Sequence, residues 1–95
     1  MKLTDVIQNL ERFDDDQTIY ATDTTPDADA SVDYEADDGS QAPSANGMRY
    51  VLEVSLAKDA IRVWSEWRDG RQPSPDERMR AVIFYAENDT FMPKT

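Results

Sequence analysis

Ala30-Ser31-Val32-Asp33-Tyr34-Glu35-Ala36-Asp37 is the stretch that decides the fold. Ala30, Val32, Tyr34 and Ala36 alternate strictly with Ser31, Asp33, Glu35 and Asp37, which is the period-two signature of a half-buried strand. Composition alone points elsewhere. Between Arg12 and Arg49, 36 residues carry ten carboxylates and no Lys or Arg, while the remaining 59 of the 95 residues hold ten acids and ten bases. The alternation makes the middle of that window an ordered strand with one acidic face rather than a disordered tract.

Working outward, Thr24-Thr25-Pro26-Asp27 on one side and Asp38-Gly39-Ser40 through Ala45-Asn46-Gly47 on the other are rich in turn formers. Segments 23–29 and 37–47 are therefore expected to be acidic turns inside one domain spanning 1–95. Upstream, Thr18 to Thr22 is β-branched and aromatic and reads as a strand. Downstream, Met48, Tyr50, Leu52 and Val54 alternate with Arg49, Val51, Glu53 and Ser55, the clearest strand of the chain.

Helices flank these strands. Leu3, Val6, Ile7, Leu10 and Phe13 recur at helical spacing, giving an amphipathic helix of about ten residues capped by Thr4 and stopped at Asp14-Asp15-Asp16. Ser55 is expected to cap a second helix with Leu56, Ala60, Ile61, Trp64 and Trp67 on its apolar stripe, Arg62–Glu66 on its wet side and Gly70 as its left-handed stop. Ser74-Pro75-Asp76-Glu77 starts a third: a Ser N-cap, Pro at the first position and Glu placed to return the bond as a capping box. That helix turns Met79, Val82, Ile83 and Ala86 inward, although Ala81 to Ala86 also fits a buried strand; the cap and the Asp76–Arg80 spacing favour helix. The order α-β-β-β-α-α predicts an α+β fold: a small antiparallel three-stranded sheet with helices packed on one face.

Several chemistries are absent from the residue inventory. Without Cys or His there is no thiol nucleophile, imidazole base, Ser-His-Asp triad or thiolate zinc site. Catalysis would have to come from paired carboxylates, and apart from Glu53 and Glu87 none is flagged by an apolar setting that would raise its pKa; the expectation is no enzyme activity and no cofactor. Asp27 to Asp38 superficially matches a calcium loop, but Val32 stands where Gly is needed and Asp38 where Glu is needed. Asp14-Asp15-Asp16 offers at most a weak cation contact, so no metal is expected.

The net charge of −10 repels nucleic acid and anionic lipid, the longest apolar run, Ala81 to Ala86, is too short to span a bilayer, and the opening residues lack the apolar stretch of a secretory signal. The expectation is a soluble cytoplasmic protein. Asp33, Glu35 and Asp37 would project from one face about 6.6–6.8 Å apart, and with Asp38 could occupy a basic groove that normally takes a phosphate backbone. The plainer reading is a solvated face that protects an edge strand. Trp67, beside Arg68 and Arg71, is a second candidate contact.

Met1-Lys2-Leu3-Thr4-Asp5-Val6-Ile7, Tyr50-Val51-Leu52-Glu53-Val54 with Ala57 and Trp64, and Pro75 to Glu77 leading to Phe84-Tyr85-Ala86-Glu87-Asn88-Asp89 together resemble bacterial proteins of about this length and unassigned function. In size, acidity and cytosolic character the chain is also similar to bacterial immunity proteins and phage-encoded inhibitors. These resemblances imply no catalytic residue. The sequence thus leads to a non-catalytic module binding a basic, nucleic-acid-binding protein through Asp33, Glu35, Asp37, Asp38 and Trp67, against a housekeeping domain whose acidity serves solubility or salt adaptation.

Overall fold

The structure, a computed structural model, describes residues 1–34 and 47–93. Its elements run α1 (Leu3–Gln8), a 3-10 turn (Leu10–Arg12), β1 (Thr18–Ala21), β2 (Ala30–Asp33), β3 (Arg49–Glu53), α2 (Val54–Glu66) and α3 (Pro75–Asn88). The strands form one antiparallel sheet in the order β2-β1-β3. This is the predicted α+β fold with its predicted element order.

Central strand β1 is buried along its whole length. Ile19 and Ala21 join a core with Leu3, Val6, Ile7, Leu52, Val54, Ala57 and Val82, whereas Tyr20 turns to the opposite face and packs with Met48. Burying each large aliphatic side chain contributes about 1.5–3 kcal/mol, so the helices are held to one face of the sheet chiefly by this cluster.

The first helix is shorter than its apolar spacing predicts, and Lys2 rather than Thr4 is its N-cap. Leu3 N–H donates to the Ala28 carbonyl (2.9 Å) and Thr4 N–H to the Pro26 carbonyl (3.1 Å), so the loop before β2 satisfies the helix start and no hydroxyl cap is needed. The α-helix ends at Gln8, where Asn9 takes φ −132° and its side-chain amide donates to the Asp5 carbonyl (2.8 Å). A 3-10 turn then carries Leu10 into the core. Asp14–Asp16 therefore follow the break rather than cause it.

β3 departs from strict alternation. Ile19 pairs with Leu52 but Tyr20 pairs with Tyr50, which leaves Val51 as the extra residue of a bulge. Val51 and Leu52 are consequently both buried, while Tyr50 is 51% exposed instead of sharing a buried face with Leu52 and Val54. The strand passes into α2 without a loop: Glu53, not Ser55, is the N-cap, and Val54 N–H donates to the Gln17 carbonyl (2.9 Å). With Val54 pinned in the core, the buried stripe becomes Val54, Ala57, Ala60, Val63 and Trp64. Leu56 and Ile61 are only half-buried and Trp67 lies outside the stripe.

α2 closes through Gly70 N–H donating to the Ser65 carbonyl (2.9 Å). Asp69 (φ 59°) takes the first left-handed position and Gly70 (φ 79°) the second. α3 follows its local code. Glu77 N–H donates to Ser74 Oγ (3.2 Å) and Ser74 N–H to Glu77 Oε1 (3.0 Å), while Asp76 and Arg80 pair at 2.9 Å. Ala81 to Ala86 is helical, and Ala81, unassigned by the sequence pattern, is buried. Gln8 Nε2 donates to the Pro75 carbonyl (2.8 Å) and Arg78 Nη2 to the Ile7 carbonyl (3.0 Å), tying α1 to α3.

Candidate functional site

Antiparallel pairing gathers the acids. β1 begins just after Asp14-Asp15-Asp16, and its first residue, Thr18, stands opposite Asp33 at the end of β2 and opposite Glu53 at the end of β3. Paired residues share a face, so acids from three separate segments meet at one end of the sheet. Thr18 between them is 1% exposed.

Local hydrogen bonds hold this end in shape. Asp14 N–H donates to Gln17 Oε1 (2.8 Å) and Gln17 N–H to the Asp14 carbonyl (3.0 Å), which folds the triple-Asp segment into a turn against the start of α2. Tyr34 N–H donates to Asp33 Oδ1 (2.8 Å), and the Tyr34 hydroxyl donates to the Asp14 carboxylate. The Tyr34 phenol is raised above its ordinary value, first by that hydrogen bond, then by burial and by the charges of Asp14, Asp16 and Asp33. A cleft of about 360 Å3 lined by Asp15, Asp16, Thr18, Tyr34, Glu53 and Ser55 opens here. Lys58 Nζ reaches Asp15 (2.7 Å) and the Phe13 carbonyl (3.2 Å) at its margin.

Among the described residues no three carboxylates are disposed to hold a metal ion. What the described side chains form at this end is an acidic surface with a tyrosine in it. Within the calcium-like stretch Asp29 pairs with Lys2 (3.1 Å) and residues 30–33 are extended in β2, a path that does not wrap an ion.

Of the candidates read from the sequence, Asp33 lies at this end, half-buried and at the last position of β2. Tyr34 already lies past the strand and is 49% exposed, not inward as its alternation predicts. Glu35, Asp37 and Asp38 lie outside the described residues. Trp67 sits at the far end of α2 from Glu53, roughly 20 Å away for 13 helical residues, so it belongs to no common surface with Asp33. It is 45% exposed and packs edge-on against Phe91 with ring centroids 6.2 Å apart. The arginines expected beside it lie over Trp64 instead, Arg68 at 4.4 Å and Arg71 at 4.7 Å from the ring centroid. Asp14–Asp16 and Glu53 are the residues that sequence spacing missed as part of the acidic surface. The signal for them is strand register: only the pairing of Thr18 brings 14–16, 33 and 53 together.

A family described as a domain of unknown function, DUF7716, matches residues 1–94. The chain belongs to this family. The DUF7716 match covers the acidic window as well as both ends, and it agrees with the resemblance to small proteins of unassigned function. No curated protein and no solved structure matches the chain. Among the described residues of this DUF7716 chain no helix is long and apolar enough to cross a membrane.

Proposed function

We propose that this DUF7716 chain is a non-catalytic, cytoplasmic binding module that presents the acidic end of its sheet to a basic protein, in an immunity- or inhibitor-type role toward a nucleic-acid-binding partner. One observation carries this reading: Asp14–Asp16, Asp33 and Glu53 meet around Thr18 although they come from three segments. In a chain of net charge −10, such a concentration steers a cationic partner to one place and disfavours direct contact with DNA or RNA. The exposed ring of Tyr34 supplies an aromatic anchor within the charged rim.

The position of β2 at the edge of the sheet favours a second reading, in which the acids only keep that edge soluble and unpaired. Capture from host lysate separates the two, using wild type and a triple variant with Asp16→Asn, Asp33→Asn and Glu53→Gln. The binding role predicts a protein retained by wild type and lost by the variant. Retention of every captured protein by the variant would leave the solubility reading standing.

A further inference from the structure

Away from the acidic end, α2 and α3 enclose a hollow of about 200 Å3 lined by Trp64, Arg68, Arg71, Glu77, Arg80 and Met92. Three guanidiniums line it against one carboxylate, and the Asp76 that pairs with Arg80 (2.9 Å) lies outside this lining in an exposed pair, so the hollow is a cationic spot in an acidic molecule. The single carboxylate is already committed, because Arg71 grips Glu77 through both Nη atoms (3.2 and 2.8 Å). Arg68 is different: it meets no carboxylate among the described residues. Its Nη1 and Nη2 donate to the carbonyls of Trp64 (3.1 Å) and Pro93 (3.0 Å), and its plane rests over the Trp64 ring. Two carbonyls and a ring thus fix a guanidinium whose remaining donors and charge meet no anionic partner among the described residues.

This hollow shares Arg80 and Met92 with a second, larger one of about 400 Å3. Pro26, Met79, Ile83, Phe84 and Met92 give that neighbour apolar walls, and its acids Asp76 and Glu87 oppose a single base, Arg80. Together the two have a fixed polarity: an anion is favoured beside Arg68 and disfavoured in the larger hollow, which suits an apolar body.

We infer that the two hollows form one binding site for a small amphiphilic carboxylate, with its head on Arg68 and Arg80 and its hydrocarbon body along Ile83, Phe84 and Met92. Carboxylates match the planar guanidinium fork, and the joint volume is in the range of small-molecule sites. The site is separate from the acidic sheet end, and its test is independent of any protein partner.

The test is an NMR titration of the full chain with hexanoate, acetate and hexanol at constant ionic strength. Hexanoate should shift the Trp64 indole N–H and the Met92 methyl together, with a Kd on the order of 1 mM for so few ligand atoms. Acetate, lacking the body, and hexanol, lacking the charge, should each bind at least tenfold more weakly. In a double variant with Arg68→Gln and Arg80→Gln, hexanoate should fall to the level of hexanol. Equal binding of hexanoate and hexanol by wild type would overturn the inference, and so would an unchanged hexanoate affinity in the double variant. Should that variant not fold, the wild-type comparison of the three ligands decides alone. Movement of the same resonances on diluting the protein by itself would assign the hollows to a second copy of the chain and equally overturn it.

Discussion

Glu77 works three ways at once: it caps α3, grips Arg71 and thereby holds that arginine over Trp64. The Arg71 guanidinium first, and the Ser74 backbone N–H next, hold its carboxyl down to about 2 from an ordinary 4.5. A depressed folded-state value means that the unfolded chain takes up the proton first as pH falls. Its contribution is therefore complete above pH 4.5 and drains away between there and about 2. Urea midpoints measured across this range should show a gentler acid slope in Glu77→Gln than in wild type; identical slopes would contradict the assignment. At the acidic end, Tyr34 offers a spectroscopic counterpart. Since its phenol is raised chiefly by the bond to Asp14, Asp14→Asn should lower the midpoint of one tyrosine in an ultraviolet titration, and Tyr34→Phe should remove that transition.

The elements differ in how far local sequence governs them. α3 carries its start within four residues, so Ser74→Ala should cost about 1 kcal/mol in chemical denaturation. α1 instead borrows its start from the Pro26 and Ala28 carbonyls and its security from the core, so Ile7→Ala, at a fully buried site, should cost about 2–5 kcal/mol. The half-buried Ile61 should lose clearly less on the same change. This contrast also explains what was legible from sequence. Strand and helix order were readable because periodicity is a local signal, and the capping box was readable because its partners lie three residues apart. The α1 cap, the Val51 bulge and the rotation of the α2 stripe were not, since each is set by pairing with residues distant in the chain. Likewise Asp33 stood out within its alternating strand, but its company with Asp14–Asp16 and Glu53 required knowing which residue faces Thr18.

At the scale of the whole molecule, the antiparallel sheet turns a compositional imbalance into a located one. Like charges crowded at one end repel, and side chains of the same shape keep their acceptor atoms, so the Asp16→Asn, Asp33→Asn, Glu53→Gln variant should melt at or above the wild-type temperature. A lower melting temperature would show that these acids stabilise the fold instead. A control triple at exposed acids elsewhere, Asp27→Asn, Asp69→Asn and Glu87→Gln, removes the same charge from other places.

Location is what the proposed function depends on, and the association rate of the captured partner reads it directly. Measured between about 50 and 500 mM salt, the rate should fall at least tenfold for wild type and for the control triple, because screening removes steering. The sheet-end triple should associate slowly and almost independently of salt. If instead the two triples show the same rates and salt slopes, net charge and not the acidic end of the sheet governs binding, and the account is wrong.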